Sequence, residues 1–304
     1  LAPQDRLLTG SIPDFDSDDG LDPDPALLRA AALECEDAAR AVPGVSNSEG
    51  AGASAGRSIF ALATSDGFAG VKSGSGYSIS ASVLSGDGDA KERDYDWHSA
   101  RHMEDLDSAT KIGTRAGERA VKRLNPGTVK SGQMPVVFDP RVGGSFVGHL
   151  LGGISGSAIA RKTSFLLESL GAQLFDSSIS IVDDPHRMRG LGSRAFDGEG
   201  LPTARRSIID KGVLTGWLME SASARQLGLE PTGHASRGIS GAPGVSPSNV
   251  HLEGGNVSVT ELIADIKHGV YIHELAGQGV NPVTGDYSRG AAGFLIINGE
   301  IAGP

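Results

Sequence analysis

The sequence holds a single cysteine, Cys35, among 304 residues. One thiol excludes an internal disulfide and any multi-cysteine zinc site, and this usage fits a reducing, cytoplasmic setting. Cys35 falls in a helical pattern with Leu27, Leu33 and Ala39, which predicts a buried thiol in place of a nucleophile. Aromatic residues make up 5% of the chain, too few for long stacking platforms. Basic residues are in the minority, 27 Lys and Arg against 37 Asp and Glu, and the net charge of -10 argues against a phosphate-gripping surface. There is no apolar run of membrane length and no signal sequence. Neither a nucleic acid nor a membrane is an expected partner.

Glycine, by contrast, is plentiful. With 44 glycines and 38% apolar residues, the chain predicts a sizeable core threaded by many turns and close backbone approaches. Its length suits about two domains. The stretch of residues 146–171, FVGHLLGGISGSAIARKTSFLLESLG, starts as an apolar helical run, loosens at Gly152, Gly153 and Gly156, and then carries Arg161 and Lys162. Each glycine costs a helix interior about 1 kcal/mol relative to alanine. Two readings follow. Either a second backbone comes close here and Arg161 and Lys162 hold a carboxylate, or this is a glycine-rich helix end followed by a solvated basic turn.

Local signals place the other elements. Asp14, Asp16 and Asp18 imitate the start of a calcium loop, but Gly20 falls one place late and Pro25 stands where the closing glutamate belongs, which predicts a linker or helix approach. A helix is expected over residues 25–42 and another from Asp107 or Ser108 to about Leu124, with the basic cluster Lys111, Arg115, Arg119, Lys122 and Arg123 as its solvated face. Between them, strands over 57–64 and 68–72 flank the turn Ser65–Asp66–Gly67, and a strand over 77–84 follows. Gly52 to Gly56 matches the G-x-S-x-G elbow but lacks the following helix, so a Gly/Ser turn is predicted. A composition shift at residues 128–133 marks a domain boundary. Beyond it come a short buried strand (134–138), strands over 179–182, 205–209, 213–218 and 270–275, and a helix over 221–227 closed by Gly228. Residues 233–249 lack periodicity, which predicts a loop that moves or works. The capping box Ser258 to Glu261 starts a helix expected to reach His268. A last hairpin turns at Asn298–Gly299. The fold class is α+β, with a helix–β-meander–helix domain over 1–130 and a larger, mixed, β-rich domain over 131–304.

Several segments resemble one family. ERDY at residues 92–95, GHLLGGISGSAIARKTSFLLESLG at 148–171, PTGH at 231–234 and above all GQGVNPVTGDYSRGAAGF at 277–294 are similar to the PmbA/TldE branch of the TldD/PmbA proteins. The resemblance implies that a family N-terminal domain precedes Leu1 and a final strand segment follows Pro304. It also implies one half of a cytoplasmic peptidase in which TldD-type and TldE-type subunits pair to degrade unfolded peptides or trim peptide precursors. The older family label is modulator of DNA gyrase. TldD-type subunits carry His-Glu-x-x-x-His for zinc. Here His149 keeps the first position, whereas Leu150 and Ile154 replace the glutamate and the second histidine. Hydrocarbon neither binds zinc nor accepts a proton.

The expectation is therefore a chain with no catalytic residues, no metal and no cofactor of its own, with zinc in a TldD-type partner. Unfolded peptide is the expected substrate, a homodimer is possible without the partner, and peptide binding adds a strand to a sheet edge. His149, Arg161, Lys162, Asp286, Tyr287, Ser288 and Arg289 are the candidates for lining the chamber or interface. For residues 286–289 a tight turn held by an Asp–Arg ion pair is the alternative. His273–Glu274 lies on a strand, where neighbours point to opposite faces. His98 and His102 are four apart but belong to an ordinary amphipathic segment. Competing functions are an autonomous hydrolase with an unrecognised site and a non-enzymatic regulatory binding protein.

Overall fold

The structure, a computed structural model, describes residues 2–304; Leu1 lies outside them. Helix α1 (Pro25–Arg40) starts with Pro25 at its first position and the Asp24 side chain accepting from Ala26 N. It leads into an antiparallel meander of β1 (Val45–Ala63), β2 (Ala69–Ser85) and β3 (Glu92–Ala100), and then into α2 (Ala109–Lys122), capped by Ser108. Tyr77, Ile79, Ala81 and Val83 alternate inward from β2 as the pattern predicts. The last three meet Cys35 and Ala39 of α1 and Ile112, Ala116 and Ala120 of α2, so both helices lie on one face of the sheet. Cys35 is fully buried, and burial pushes its thiol up to about 11, which removes it as a nucleophile.

Four expectations for this half need correction. The Gly52–Gly56 run is not a turn: it lies within β1 and pairs residue by residue with Ser80 to Gly76 of β2. Ladder hydrogen bonds supply what its propensity lacks, and the small Ala51 and Ala53 side chains pack against the helical cluster. The segment holding His98 is strand β3, whose His98 Nδ1 accepts from Asp107 N at 3.0 Å. The acidic lead is no free linker. Asp19 accepts from Tyr77 Oη at 2.7 Å and Met103 N at 3.1 Å, and Asp16 pairs with Arg189 at 2.6 Å. The basic face of α2 is solvated only in part: Lys111 and Lys122 are exposed, but Arg115 and Arg119 both hold the buried Asp96, and Arg123 turns inward to Glu92, Asp94 and Glu274. Only Lys111 makes the exposed helical pair, with Asp107.

In the second half, β4 (Val136–Phe138) leads to α3 (Pro140–Gly153) and α4 (Gly156–Ala160). Next come β5 (Ile181–Asp183), β6 (Arg206–Asp210), β7 (Val213–Leu214), α5 (Ser221–Leu227), β8 (Ala235–Ser236), β9 (Gly244–Val245) and β10 (Val250–Leu252). Finally α6 (Val259–Ile263), β11 (His268–Ala276), β12 (Gly290–Ile297) and β13 (Glu300–Ile301) close the chain. One sheet runs β10-β5-β6-β7 and another β13-β12-β11-β4, with β4 parallel to β11 at the edge. The core gathers Leu150, Ile154, Leu166, Ile208, Ile209, Leu214, Trp217 and Leu218. β4 is not buried as expected: Val136 and Phe138 are 45% and 40% exposed. The capping box at Ser258 forms, yet α6 stops at Ile263, because His268 is already paired with Ile297 in the sheet. Residues 233–249 are held on both flanks by the β8–β9 ladder, with an exposed tip between.

Candidate functional site

Helix α3 organises the site. Pro140 occupies its first turn, and the Asp139 side chain accepts from Arg141 N at 2.8 Å and from Tyr271 Oη at 2.7 Å, which anchors the helix start to β11. Leu150 and Ile154 are turned into the core, and Ile154 is fully buried. The neighbouring face carries Phe146 and His149 toward the loop that follows β11. Phe146 stacks on Tyr287 at 5.3 Å and meets Phe138 of β4 edge-on at 4.5 Å. The His149 ring lies 5.9 Å from Tyr287, edge to face, and its Nε2 is buried without a hydrogen-bond partner among the described residues.

The loop carrying Tyr287 is a hairpin with a narrow neck. Ser288 N donates to Gly279 O at 2.6 Å, and Asn281 N to Asp286 O at 2.9 Å. A Cβ on Gly279 would lie 1.7 Å from Ser288 O, so no other residue fits this neck. Asp286 accepts from Thr284 Oγ1 at 2.7 Å, while Arg289 donates to the carbonyls of Ala276 (3.0 Å) and Leu275 (3.4 Å). The Asp–Arg ion pair considered for this turn does not form. Gln278, Gly279, Asn281, Asp286, Tyr287 and Ser288 border an open hollow of about 540 Å³.

Arg161 and Lys162 stand exposed on the turn after α4, and among the described residues neither makes an ion pair. The next residues dock on the loop, with Phe165 N donating to Pro282 O at 2.9 Å. The glycines of this stretch separate by role. Gly153 meets Leu166 and Phe165, and Gly156 meets Leu218 O, whereas Gly144, Gly148 and Gly152 have open space beside them.

Sequence reasoning missed a buried ionic seam behind α3. Asp94 of β3 has no exposed side-chain surface and receives Arg141 at 2.7 Å and Arg123 at 3.5 Å, with His273 Nε2 at 3.4 Å. Arg141 also lies over the Tyr95 ring at 4.7 Å. A bulge between Ile272 and Glu274 breaks the strand alternation, so His273 and Glu274 reach the same cluster instead of opposite faces. Burial alone raises the Asp94 carboxyl, but the His273 ring and the Arg141 guanidinium outweigh it and hold the group well below the usual carboxylate range. The available signal was ERDY itself, whose central aspartate is this hub.

Two other histidines serve the framework. His234 bridges Thr232 Oγ1 (2.8 Å) and Asp183 (3.0 Å), and His186 stacks on Phe15 and contacts Thr203. Among the described residues, no group of three or more His, Cys, Asp or Glu side chains is placed to hold a metal ion. Beside His149 stands the Tyr287 ring, with Phe146 and then Phe138 packed in series behind it, so the residues present do not fit zinc. No helix among the described residues is long and apolar enough to cross a membrane.

Comparison with known proteins agrees with this architecture. Profiles described as the PmbA/TldA metallopeptidase central domain and C-terminal domain match residues 18–124 and 131–304. The metalloprotease PmbA of Escherichia coli is 37% identical over 98% of this chain, which spans 65% of that relative's length. A Bacteroides thetaiotaomicron protein described as a candidate modulator of DNA gyrase superposes with a TM-score of 0.89 at 30% identity, covering 100% of this chain and 68% of its own. TldE of Thermococcus kodakarensis shares the fold, with a TM-score of 0.86 at 23% identity over 100% of this chain and 71% of its own. Two profiles that together span residues 18–124 and 131–304, and 37% identity over 98% of the chain, show that it belongs to the PmbA/TldA metallopeptidase family.

Proposed function

We propose that this chain acts as the TldE/PmbA-like, non-metal subunit of a cytoplasmic TldD/TldE-type metallopeptidase, which degrades or trims unfolded peptides. The observation that carries the reading is the rotation of α3: Leu150 and Ile154 point into the core, and His149 faces the Tyr287 ring with no carboxylate to activate water. Hydrolysis is therefore assigned to a TldD-type partner, and this chain to shaping the chamber. His149, Tyr287, Asp286 and Ser288 line that chamber, with Arg161, Lys162 and Arg289 at its rim or at the interface. The exposed edge strand β4, joined to the cluster by Phe138, suits a peptide added as a further strand. The reading also divides the chain near residue 130, between the two profile matches.

The test mixes the full-length protein with a TldD-type subunit. The expected result is a complex on gel filtration that cleaves casein, while the protein alone is inactive and holds far less than one zinc per chain by elemental analysis. Absence of a complex, or chelator-sensitive cleavage by the protein alone, would falsify the assignment.

A further inference from the structure

A second cavity, of about 420 Å³, shares no lining residue with the hollow at Tyr287 and lies between the acidic arm, the β1–β2 hairpin and residues 193–196. Four cations border it: Arg57, Lys72, Arg101 and Arg194. In a chain of net charge -10, the default expectation is that each would have a carboxylate. Arg57 has Asp18 at 2.8 Å, but among the described residues no carboxylate oxygen lies within 4.0 Å of Lys72, Arg101 or Arg194. Arg101 donates to the backbone carbonyls of Ser75 (2.9 Å) and Leu191, and Arg194 to Ser246 O at 2.6 Å. The Nε of each arginine is buried and without a partner. The Lys72 ammonium is half-buried over the rings of Phe60 (5.0 Å) and Phe196 (5.7 Å).

Two carboxylates, Asp14 and Asp18, line the cavity without reaching Lys72, Arg101 or Arg194, and Asp197 follows the lining residue Phe196. Asp18 holds Arg57 at 2.8 Å, and Asp14 accepts from Asp16 N at 2.9 Å. Asp197 accepts from the backbone N–H groups of Glu199 (2.9 Å), Leu201 (3.0 Å) and Ala235 (3.0 Å). Burial and the like charges of Arg194 and Arg101 push the Lys72 ammonium down, and the more distant Asp197 carboxylate offsets this only in part. Gathering three such groups is unfavourable unless an anion relieves it. The walls add Ile12, Phe15, Phe60 and Phe196, which shield an apolar stem from water.

We propose that this cavity is an anion-binding site that takes a carboxylate or phosphate group borne on an apolar stem. Lys72 and the two guanidinium groups contact the anion, and the phenyl rings contact the stem. The site is separate from the His149–Tyr287 cluster and does not depend on the function proposed for that cluster.

The test uses calorimetric titration and thermal shift of the full-length protein with N-acetylphenylalanine, its neutral amide and phenyl phosphate. Both anions separate the possible sources, a peptide carboxyl terminus or an organic phosphate; the tighter one names the class. Expected are saturable binding of at least one anion, weakening with salt, and no binding of the amide. Lys72→Met, which breaks no hydrogen bond, should fold with an unchanged or higher Tm, and should weaken anion binding at least tenfold and abolish the anion-induced rise in Tm. Failure of both anions to bind at millimolar concentration, equal binding of the amide, or unchanged binding by Lys72→Met overturns the proposal.

Discussion

Replacing Asp94 with asparagine is expected to destabilise the fold by about 3–5 kcal/mol, because it leaves the buried Arg141 without its counter-charge, while Arg123 keeps Glu92 and Glu274. Asparagine keeps the size of the side chain, so the loss is electrostatic and not a cavity effect. The seam joins β3 and α2 to α3 and β11, so the loss should appear as one cooperative loss of both halves. The pH dependence has a definite sign. The folded-state carboxyl titrates below its unfolded value, so its contribution is complete above the unfolded pKa of about 4, begins to fall as pH drops through that value, and is lost only below the depressed folded-state pKa. Urea denaturation of wild type should show a midpoint that is flat above about pH 5 and falls below about pH 4, and the variant should lose part of that acid slope. A variant within 1 kcal/mol of wild type at pH 7 would show that the cluster is not the hub described.

Gly113→Val is expected to separate the two helices of the first half. A Cβ at Gly113 would stand 2.0 Å from Cys35 O and 3.0 Å from the Ala38 Cβ, and one at Gly117 would stand 2.7 Å from Ala39 O. The helices therefore touch backbone to backbone through these two glycines. Overpacking typically costs 1–3 kcal/mol, and here the obstacle is a helix backbone that cannot rotate aside, so roughly 3 kcal/mol or more is expected. Gly113→Ala provides the sharper contrast. Alanine improves an open helix position by about 1 kcal/mol, so the gain should appear at Gly148, which has nothing within 4 Å, and reverse at Gly113. Chemical denaturation of both alanine variants reads the two signs directly. Equal stabilisation at both positions would refute the close helix contact.

The outcomes at particular residues separate what local sequence can encode from what it cannot. Pro25, Ser108, Gly228 and the box at Ser258 were readable because a cap involves groups within three or four residues of one another. The Gly52–Gly56 run was misread because its strand character is lent by partners in β2, 20 to 28 residues away. The basic face of α2 was misread for the same reason: its partners Asp96, Asp94 and Glu274 are supplied by other strands. Of the candidate site residues, His149 and Tyr287 meet, Asp286 and Ser288 share the hairpin, and Arg161 and Lys162 remain on their own turn.

The sequence by itself determined the family likeness, the caps and turns, and the hydrocarbon at positions 150 and 154, since each is a matter of residue identity or of neighbours along the chain. Only the tertiary structure decided that Asp94 anchors the seam, that a bulge swings His273 onto it, and that Lys72, Arg101 and Arg194 converge without a carboxylate. Charge and burial at those sites are set by atoms that come together only when β3, α3, β11 and the acidic arm have packed, and no window along the chain contains them.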